Sequence, residues 1–279
     1  MASNPKILVA VGHGYYSPWI DIVLEGQNET WLAGELPSNI EIVHYHGSPL
    51  GKFGLLLDKF HEKVRWSSNR VGYALLRLFD SFVTFPFLAV IPASTTSDLL
   101  FLRHKTIHVR WPDSYLTARW KAKGMFRFIL ENYDFDFLFM TTTSSYIRLD
   151  ELSKMLSKQT PIRFFGGASV YYGANFAAGS NRVLSRDLVQ NLLRRPLDYL
   201  PFPIEDLSMS QSIMRSGVGL VRLPHIDIDS LKNLEQVTDA ELMNHYHFRL
   251  KSGRLDNRND VVIMKALHKR LMGIAYDSE

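Results

Sequence analysis

The sequence predicts a doubly wound α/β fold, and three observations carry that expectation. Apolar runs of strand length, Ile7-Leu8-Val9-Ala10-Val11 and Phe135-Asp136-Phe137-Leu138-Phe139-Met140, suit strands covered on both faces of a parallel sheet. Segments with a 3.6-residue apolar period separate such runs. Strand, helix and strand also follow one another in the order that builds βαβ units.

The elements follow in order. Gly12-His13-Gly14 breaks the first strand, and Ser17-Pro18 reads as a cap with proline at the first helical position. Ile20, Val23, Leu24 and Trp31 supply one helical face as far as Leu32, and Ile40 to Tyr45 reads as the second strand. Residues 52–77 are charged and helical in tone, as an insertion would be. His108-Val109-Arg110 is a short strand, and Ala118, Ala122, Met125 and Ile129 mark a helix face. The run Phe135 to Met140 stops in five hydroxyl residues, Thr141 to Ser145, before helical periodicity returns at Leu149, Leu152, Met155 and Leu156. Beyond Thr160 the chain is rich in Gly, Tyr and Ala. A helix capped by Ser185 is expected through Leu193, with others after Pro203 as far as Gly217 and from Val261 to Leu271. With no repeat and no linker, the expectation is one domain, 1–279, whose first half (1–150) and second half (151–279) carry different tasks.

Composition excludes several classes. The 279 residues are 46% hydrophobic and 22% charged, enough to bury a core without a disulfide or metal. With 17 Phe, 12 Tyr and 5 Trp and a formal charge of only +4, the chain is not disordered. The absence of cysteine removes thiolate zinc sites, thiol catalysis and a disulfide framework. The apolar stretch from Ser81 to Ala93 is shorter than the ~20 residues a membrane span needs, and Pro86 and Pro92 interrupt it, so a buried strand is expected there. The sequence pI of 9.1 admits an anionic partner, but no long basic stripe supports nucleic-acid binding.

Several blocks together resemble the GT-A-fold glycosyltransferases of the β-1,3-galactosyltransferase and Fringe group. They are Lys6-Ile-Leu-Val-Ala-Val11 with Glu29-Thr30-Trp31-Leu32, Trp111-Pro-Asp-Ser-Tyr-Leu116 followed by Lys121, and Asp136-Phe-Leu-Phe-Met-Thr141 with Tyr146-Ile-Arg-Leu-Asp150. Ala178-Gly-Ser-Asn-Arg-Val-Leu-Ser-Arg-Asp187 is similar to the pattern Ser-Gly-x-Gly-Tyr-Val-Leu-Ser-Arg-Asp. Pro203-Ile-Glu-Asp-Leu207 with Arg215-Ser-Gly-Val218 is similar to the Pro-x-Glu-Asp-Val helix and its ending. The blocks run from about Lys6 to Val218 in the family's order. The resemblance implies a GT-A-type, Rossmann-like fold, with a mixed, mostly parallel sheet flanked by helices. It further implies an inverting transferase that moves a sugar from a nucleotide-diphosphate donor to a hydroxyl of a glycan or glycoprotein acceptor. The alternative is a catalytically degenerate relative that only binds glycan or nucleotide.

One departure matters. Where the family carries three aspartates that hold a divalent cation, this chain has Thr142-Thr143-Ser144. Hydroxyls are poor ligands for hard cations, so no metal cofactor is expected, and basic residues are expected to meet the diphosphate. In His245-Tyr246-His247-Phe248-Arg249-Leu250-Lys251, strand alternation would put His245, His247, Arg249 and Lys251 on one face, lining a cleft. A solvated edge strand is the competing reading, and no third ligand stands at short spacing for a zinc site. His44 and His46 read as surface or loop histidines.

Inversion needs a carboxylate to take the acceptor's proton. The resemblance gives that role to Asp206, with Glu205 beside it, although acidic residues in a first helical turn also suit the helix dipole. It places Asp113 and Lys121 at the donor, with His13 in the loop where this fold receives a nucleotide, and Thr142, Thr143 and Ser144 at the diphosphate. Arg119 reads as a surface charge. Gly179, Ser180 and Tyr172 are expected at the acceptor, with Gly166, Gly167 and Tyr171 nearby. With no membrane anchor and no leader in view, the expected location is cytoplasmic.

Overall fold

The computed structural model describes residues 4–14, 17–48, 95–97, 104–113, 117–171, 175–194, 205–253 and 258–277. The charged segment 52–77, the apolar stretch 81–93 and Tyr172 lie outside them. The strands are β1 (Ile7–Gly12), β2 (Ile40–Ser48), β3 (Thr95–Ser97), β4 (Lys105–Pro112), β5 (Phe137–Thr142), β6 (Ser145–Ile147), β7 (Phe165–Tyr171), β8 (Asn175–Ser185), β9 (Val221–Arg222), β10 (Ile226–Asp227) and β11 (His247–Arg249). The α-helices are α1 (Trp19–Asp21), α2 (Ala118–Asn132), α3 (Leu149–Leu156), α4 (Arg186–Arg194), α5 (Glu205–Arg215), α6 (Leu231–Gln236), α7 (Asp239–Asn244) and α8 (Asp260–Asp277).

The fold is mixed α/β. An eight-stranded sheet has the order β3-β4-β2-β1-β5-β8-β7-β9. Its centre, β4-β2-β1-β5, is parallel, whereas β8 runs antiparallel to β5 and to β7, and β3 antiparallel to β4. β1 pairs with β2 on one side and β5 on the other, from Ile7 opposite Ile40 and Phe137 to Gly12 opposite Tyr45 and Thr142. The strand order therefore reverses at β1, which opens a crevice beyond the carboxyl ends of β1 and β5.

Strand alternation divides the core into two layers. Ile7, Val9, Val11, Phe137, Phe139 and Val183 face a layer closed by α3 and α8 through Leu152, Leu156, Ile263, Met264 and Leu267. Leu8, Ala10, Leu138, Met140 and Leu184 face one closed by α2, α4 and α5 through Met125, Phe126, Ile129, Leu188, Val189, Met209 and Ile213. Burying each Val, Leu, Ile, Met or Phe side chain among them contributes about 1.5–3 kcal/mol relative to exposure. A second sheet, β10-β11-β6, fixes the C-terminal segment to the turn after β5. Among the described residues no helix is long and apolar enough to cross a membrane.

Two local expectations are corrected. The helix expected from Ser17 to Leu32 is only α1, followed by a π-helical turn at Ile22–Gly26 and a 3-10 turn at Gln27–Glu29. The winding changes where buried Gln27 turns its amide onto three carbonyls of the β5–β6 turn, and the Ser17 hydroxyl bonds to Asp21 rather than capping a helix. Ser185 belongs to β8, and its hydroxyl accepts from the Phe164 N–H.

Gly47 sits where β2 and β4 lose register, between His46 and Ser48. A Cβ there would stand 2.6 Å from the Trp111 carbonyl oxygen and 2.9 Å from the Asp113 nitrogen. Gly47→Ala is expected to destabilise the protein by about 1–3 kcal/mol, the usual cost of overpacking. Urea unfolding checks this, and a variant within error of the parent would refute the close approach.

Candidate active site

Two groups of polar side chains meet at the crevice. The first is built on a buried cation. Arg182 lies two residues before Leu184, on the face of β8 that packs on α5, and its side chain is 2% exposed. A guanidinium in an apolar layer must be paired, and the acidic first turn of α5 pairs it. Nη2 donates to both oxygens of Glu205 at 3.0 and 3.1 Å, and Nη1 lies 3.8 Å from Asp206 Oδ1. The Gly179 N–H donates to Asp206 Oδ2 at 3.0 Å, and a Cβ on Gly179 would stand 2.5 Å from Oδ1. Glycine at 179 thus lets the carboxylate approach the β8 backbone.

The two carboxylates differ. Burial raises Glu205 above the usual carboxylate range, against the pull of Arg182, and the neighbouring charge of Asp206 adds to the rise. Glu205 is 13% exposed and engaged by both Arg182 bonds, whereas Asp206 is 29% exposed. Asp206 is therefore the carboxylate open to an incoming group.

Across the crevice, Lys121 on α2 bonds Asp113 Oδ1 at 2.5 Å, and both side chains are largely buried. The Asp113 N–H donates to the Ser48 carbonyl, which holds the end of β4 against β2. Tyr45 connects the two sides. Its hydroxyl reaches the position a Cβ on Gly12 would take, at 2.7 Å, and the Lys121 ammonium lies 5.9 Å from its ring centre. Burial raises the Tyr45 phenol above its ordinary value, and Glu205 adds to the rise.

His13 follows β1 with its Nδ1 2.9 Å from the Gly14 carbonyl. Burial pushes it down to about 4, so it is neutral. Its ring centre lies 5.7 Å from that of His44 and 5.2 Å from that of His46, which in turn stacks on His108. His44 and His46 are buried, not surface residues, because β2 continues past Tyr45 to Ser48 between β1 and β4. Arg119 is also buried, against the Trp120 ring.

The second group surrounds the turn after β5. Gln27 Nε2 donates to the carbonyls of Thr142, Thr143 and Ser145, and the Leu250 N–H donates to that of Ser144. The Thr141 hydroxyl donates to the Ser180 carbonyl, which places Ser180 directly behind the turn. Arg258 Nη2 donates to the Ser144 hydroxyl. The divalent cation implied by the family resemblance does not fit here. Residues 142–144 offer only hydroxyls, the Thr142 and Thr143 carbonyls are engaged by Gln27, and among the described residues no group of three His, Asp or Glu could hold a metal ion.

The basic face expected from 245 to 251 takes another form. β11 is three residues long and lies between β6 and β10, so it is no free edge. Tyr246, His247, Phe248 and Leu250 are all buried. His247 Nε2 lies 3.1 Å from the Ser145 hydroxyl, its ring stands edge-on to Phe139, and burial pushes it down to about 3, so it carries no charge at neutral pH. His245 Nδ1 instead contacts the Glu241 carbonyl of α7, Arg249 is half-buried and Lys251 is exposed.

The structure thus brings Asp206, Glu205, Gly179, Asp113 and Lys121 into one charged network, and Thr142, Thr143, Ser144, Ser180 and His247 into a second. Four participants were not foreseen. Arg182 stands where the family pattern has tyrosine, a departure visible in the sequence. Tyr45, Gln27 and Arg258 carried no local signal.

No family model matches the sequence, and no curated protein does. Among solved structures, the chain is similar to the apo form of mouse xyloside xylosyltransferase 1. The identity is 8%, the match covers 89% of this chain and 98% of that one, and the TM-score is 0.41.

Two outcomes follow from the burial of these groups. Arg182→Met is expected to cost about 3–5 kcal/mol, because it strands a buried carboxylate, and adding Glu205→Met should recover most of that loss. Urea midpoints of the single and double variants check it, and a double variant no better than the single would refute the pairing. His247, depressed from 6.5 to about 3, contributes stability that is complete above pH 6.5 and lost as pH falls toward 3. Between pH 6.5 and 5 the loss is roughly 2 kcal/mol. His247→Asn should remove that part of the slope, and an unchanged slope would show that His247 is not buried neutral.

Proposed function

We propose that this protein is a glycosyltransferase of GT-A type that acts with inversion on a nucleotide-diphosphate sugar, without a metal, and delivers the sugar to a glycan hydroxyl. The observation that carries the reading is Asp206, a partly open carboxylate at the carboxyl end of a mixed α/β sheet, anchored by the Gly179 N–H and held beside a buried Arg182–Glu205 pair. Transfer with inversion needs one base in reach of the acceptor hydroxyl and a polar pocket for the departing diphosphate. Asp206 supplies the base. Glu205 positions it, since both of its oxygens are engaged by Arg182.

The donor enters over the crevice at β1 and β5. Asp113, Lys121 and His13 face its nucleoside or sugar, and the Thr142 to Ser144 turn faces the diphosphate. The acceptor approaches across Gly179 and Ser180, so that its hydroxyl meets Asp206 on the side of the anomeric carbon opposite the leaving group. As the new bond forms, the hydroxyl proton passes to Asp206 and the nucleoside diphosphate leaves with the bonding electrons. The first half of the chain serves the donor and the second half the acceptor.

A thermal-shift screen of nucleotide sugars in excess chelator identifies the donor, because binding to the native state raises apparent stability. Transfer by Asp206→Asn should then fall about 10²–10⁴-fold in kcat, the range for loss of a general base, with donor KM little changed. An Asn variant as active as the parent would refute the base, and donor binding without transfer to any acceptor in a broad panel would favour the degenerate binding protein.

A further inference from the structure

We infer that Arg258 is the cation that meets the donor's diphosphate, a guanidinium fixed over the turn after β5 at the place of the absent divalent ion. This rests on the transferase reading above. Arg258 lies just before α8, more than a hundred residues from the turn it touches, yet its side chain is 3% exposed and bonds to that turn.

Its surroundings form a built site. Nη2 donates to the Ser144 hydroxyl at 2.5 Å, and Nη2 and Nε both donate to Asp260. The guanidinium carbon stacks 4.5 Å from the ring centre of Trp19. Trp19 packs on the loop after β1, where a Cβ on Gly14 would stand 2.5 Å from its Cδ1. Asp260 is fully buried and also accepts from the Ser252 N–H and hydroxyl. Its charge is therefore shared among several donors while it fixes the direction of the guanidinium. Nη1 makes no hydrogen bond among the described residues, so its N–H groups remain for a ligand. Guanidinium N–H groups suit phosphate oxygens in charge and in hydrogen bonding. Held in place beforehand, it needs no reorganisation as charge builds on the leaving diphosphate.

The residue at 144 fits the same logic. An aspartate there, as in the family pattern, would add a second carboxylate to the one Asp260 already sets against Arg258 and leave the site net negative. Serine accepts one hydrogen bond and adds no charge.

Calorimetry of UDP, GDP, CDP and dTDP, each beside its monophosphate, tests the inference in excess EDTA with the full chain. The parent should bind at least one diphosphate. Arg258→Gln should weaken it about 10–100-fold, the worth of a charge-assisted hydrogen bond, with a smaller effect on the monophosphate, and Arg258→Lys should recover part of the loss. Ser144→Asp, which leaves Arg258 and Asp260 in place, should weaken the diphosphate selectively and carries the test where Arg258→Gln fails to fold. Equal affinity in the folded variants, or binding that appears only with Mg²⁺ or Mn²⁺, would overturn the role of Arg258 and leave the transferase reading standing. A parent that binds none of these nucleotides would overturn both.

Discussion

A buried guanidinium organises this crevice. Arg182 lies on a strand whose same-face neighbours are leucine and methionine, where an unpaired charge would cost several kcal/mol. The fold meets that cost by docking the acidic first turn of α5 onto β8. Most of the local geometry follows from this docking. Glu205 is consumed by the pair, Asp206 is turned toward the Gly179 N–H, and position 179 must lack a side chain. Tyr45, reaching over Gly12, feels the same charges from the opposite side of the switch point.

The turn after β5 solves a different problem. Its carbonyls point where the central strands end, and they are satisfied from distant parts of the chain, by the Gln27 amide and the Leu250 N–H. Irregular winding of the first helix is the local consequence, since Gln27 must leave a regular α-helical path to reach them. With the backbone satisfied in this way, the turn presents hydroxyls, and Arg258 lies against one of them. Irregular helices and buried polar contacts of this kind gather at functional sites, where local regularity yields to the needs of the site.

Legibility differed sharply between elements. The Leu149 to Leu156 helix and the Ala118 helix stand where their periodicity puts them, because apolar spacing reports directly which face meets the core. The 245–251 stretch shows the limit of that reasoning. Alternation would put His245, His247 and Arg249 on one open face, but the strand spans only His247–Arg249, and its pairing with both β6 and β10 buries His247 and removes its charge. His44 and His46 misled for a related reason, since neither spacing nor composition reveals that β2 lies between β1 and β4. In the candidate site, Asp206, Asp113 and Lys121 were named from motif order, whereas the partners that set their environment were not.

By itself, the sequence determined the class of fold, the central strands, the faces of the long helices and the absence of thiol chemistry. These depend on the spacing of apolar residues and on composition, which are local or global properties of the chain. Only the tertiary structure decided which charges meet. Arg182 finds Glu205 across 23 positions, His247 finds Ser145 across 102, and Arg258 finds Ser144 across 114. Coulomb and hydrogen-bond partners are chosen by distance in space and by burial, and a short stretch of sequence encodes neither.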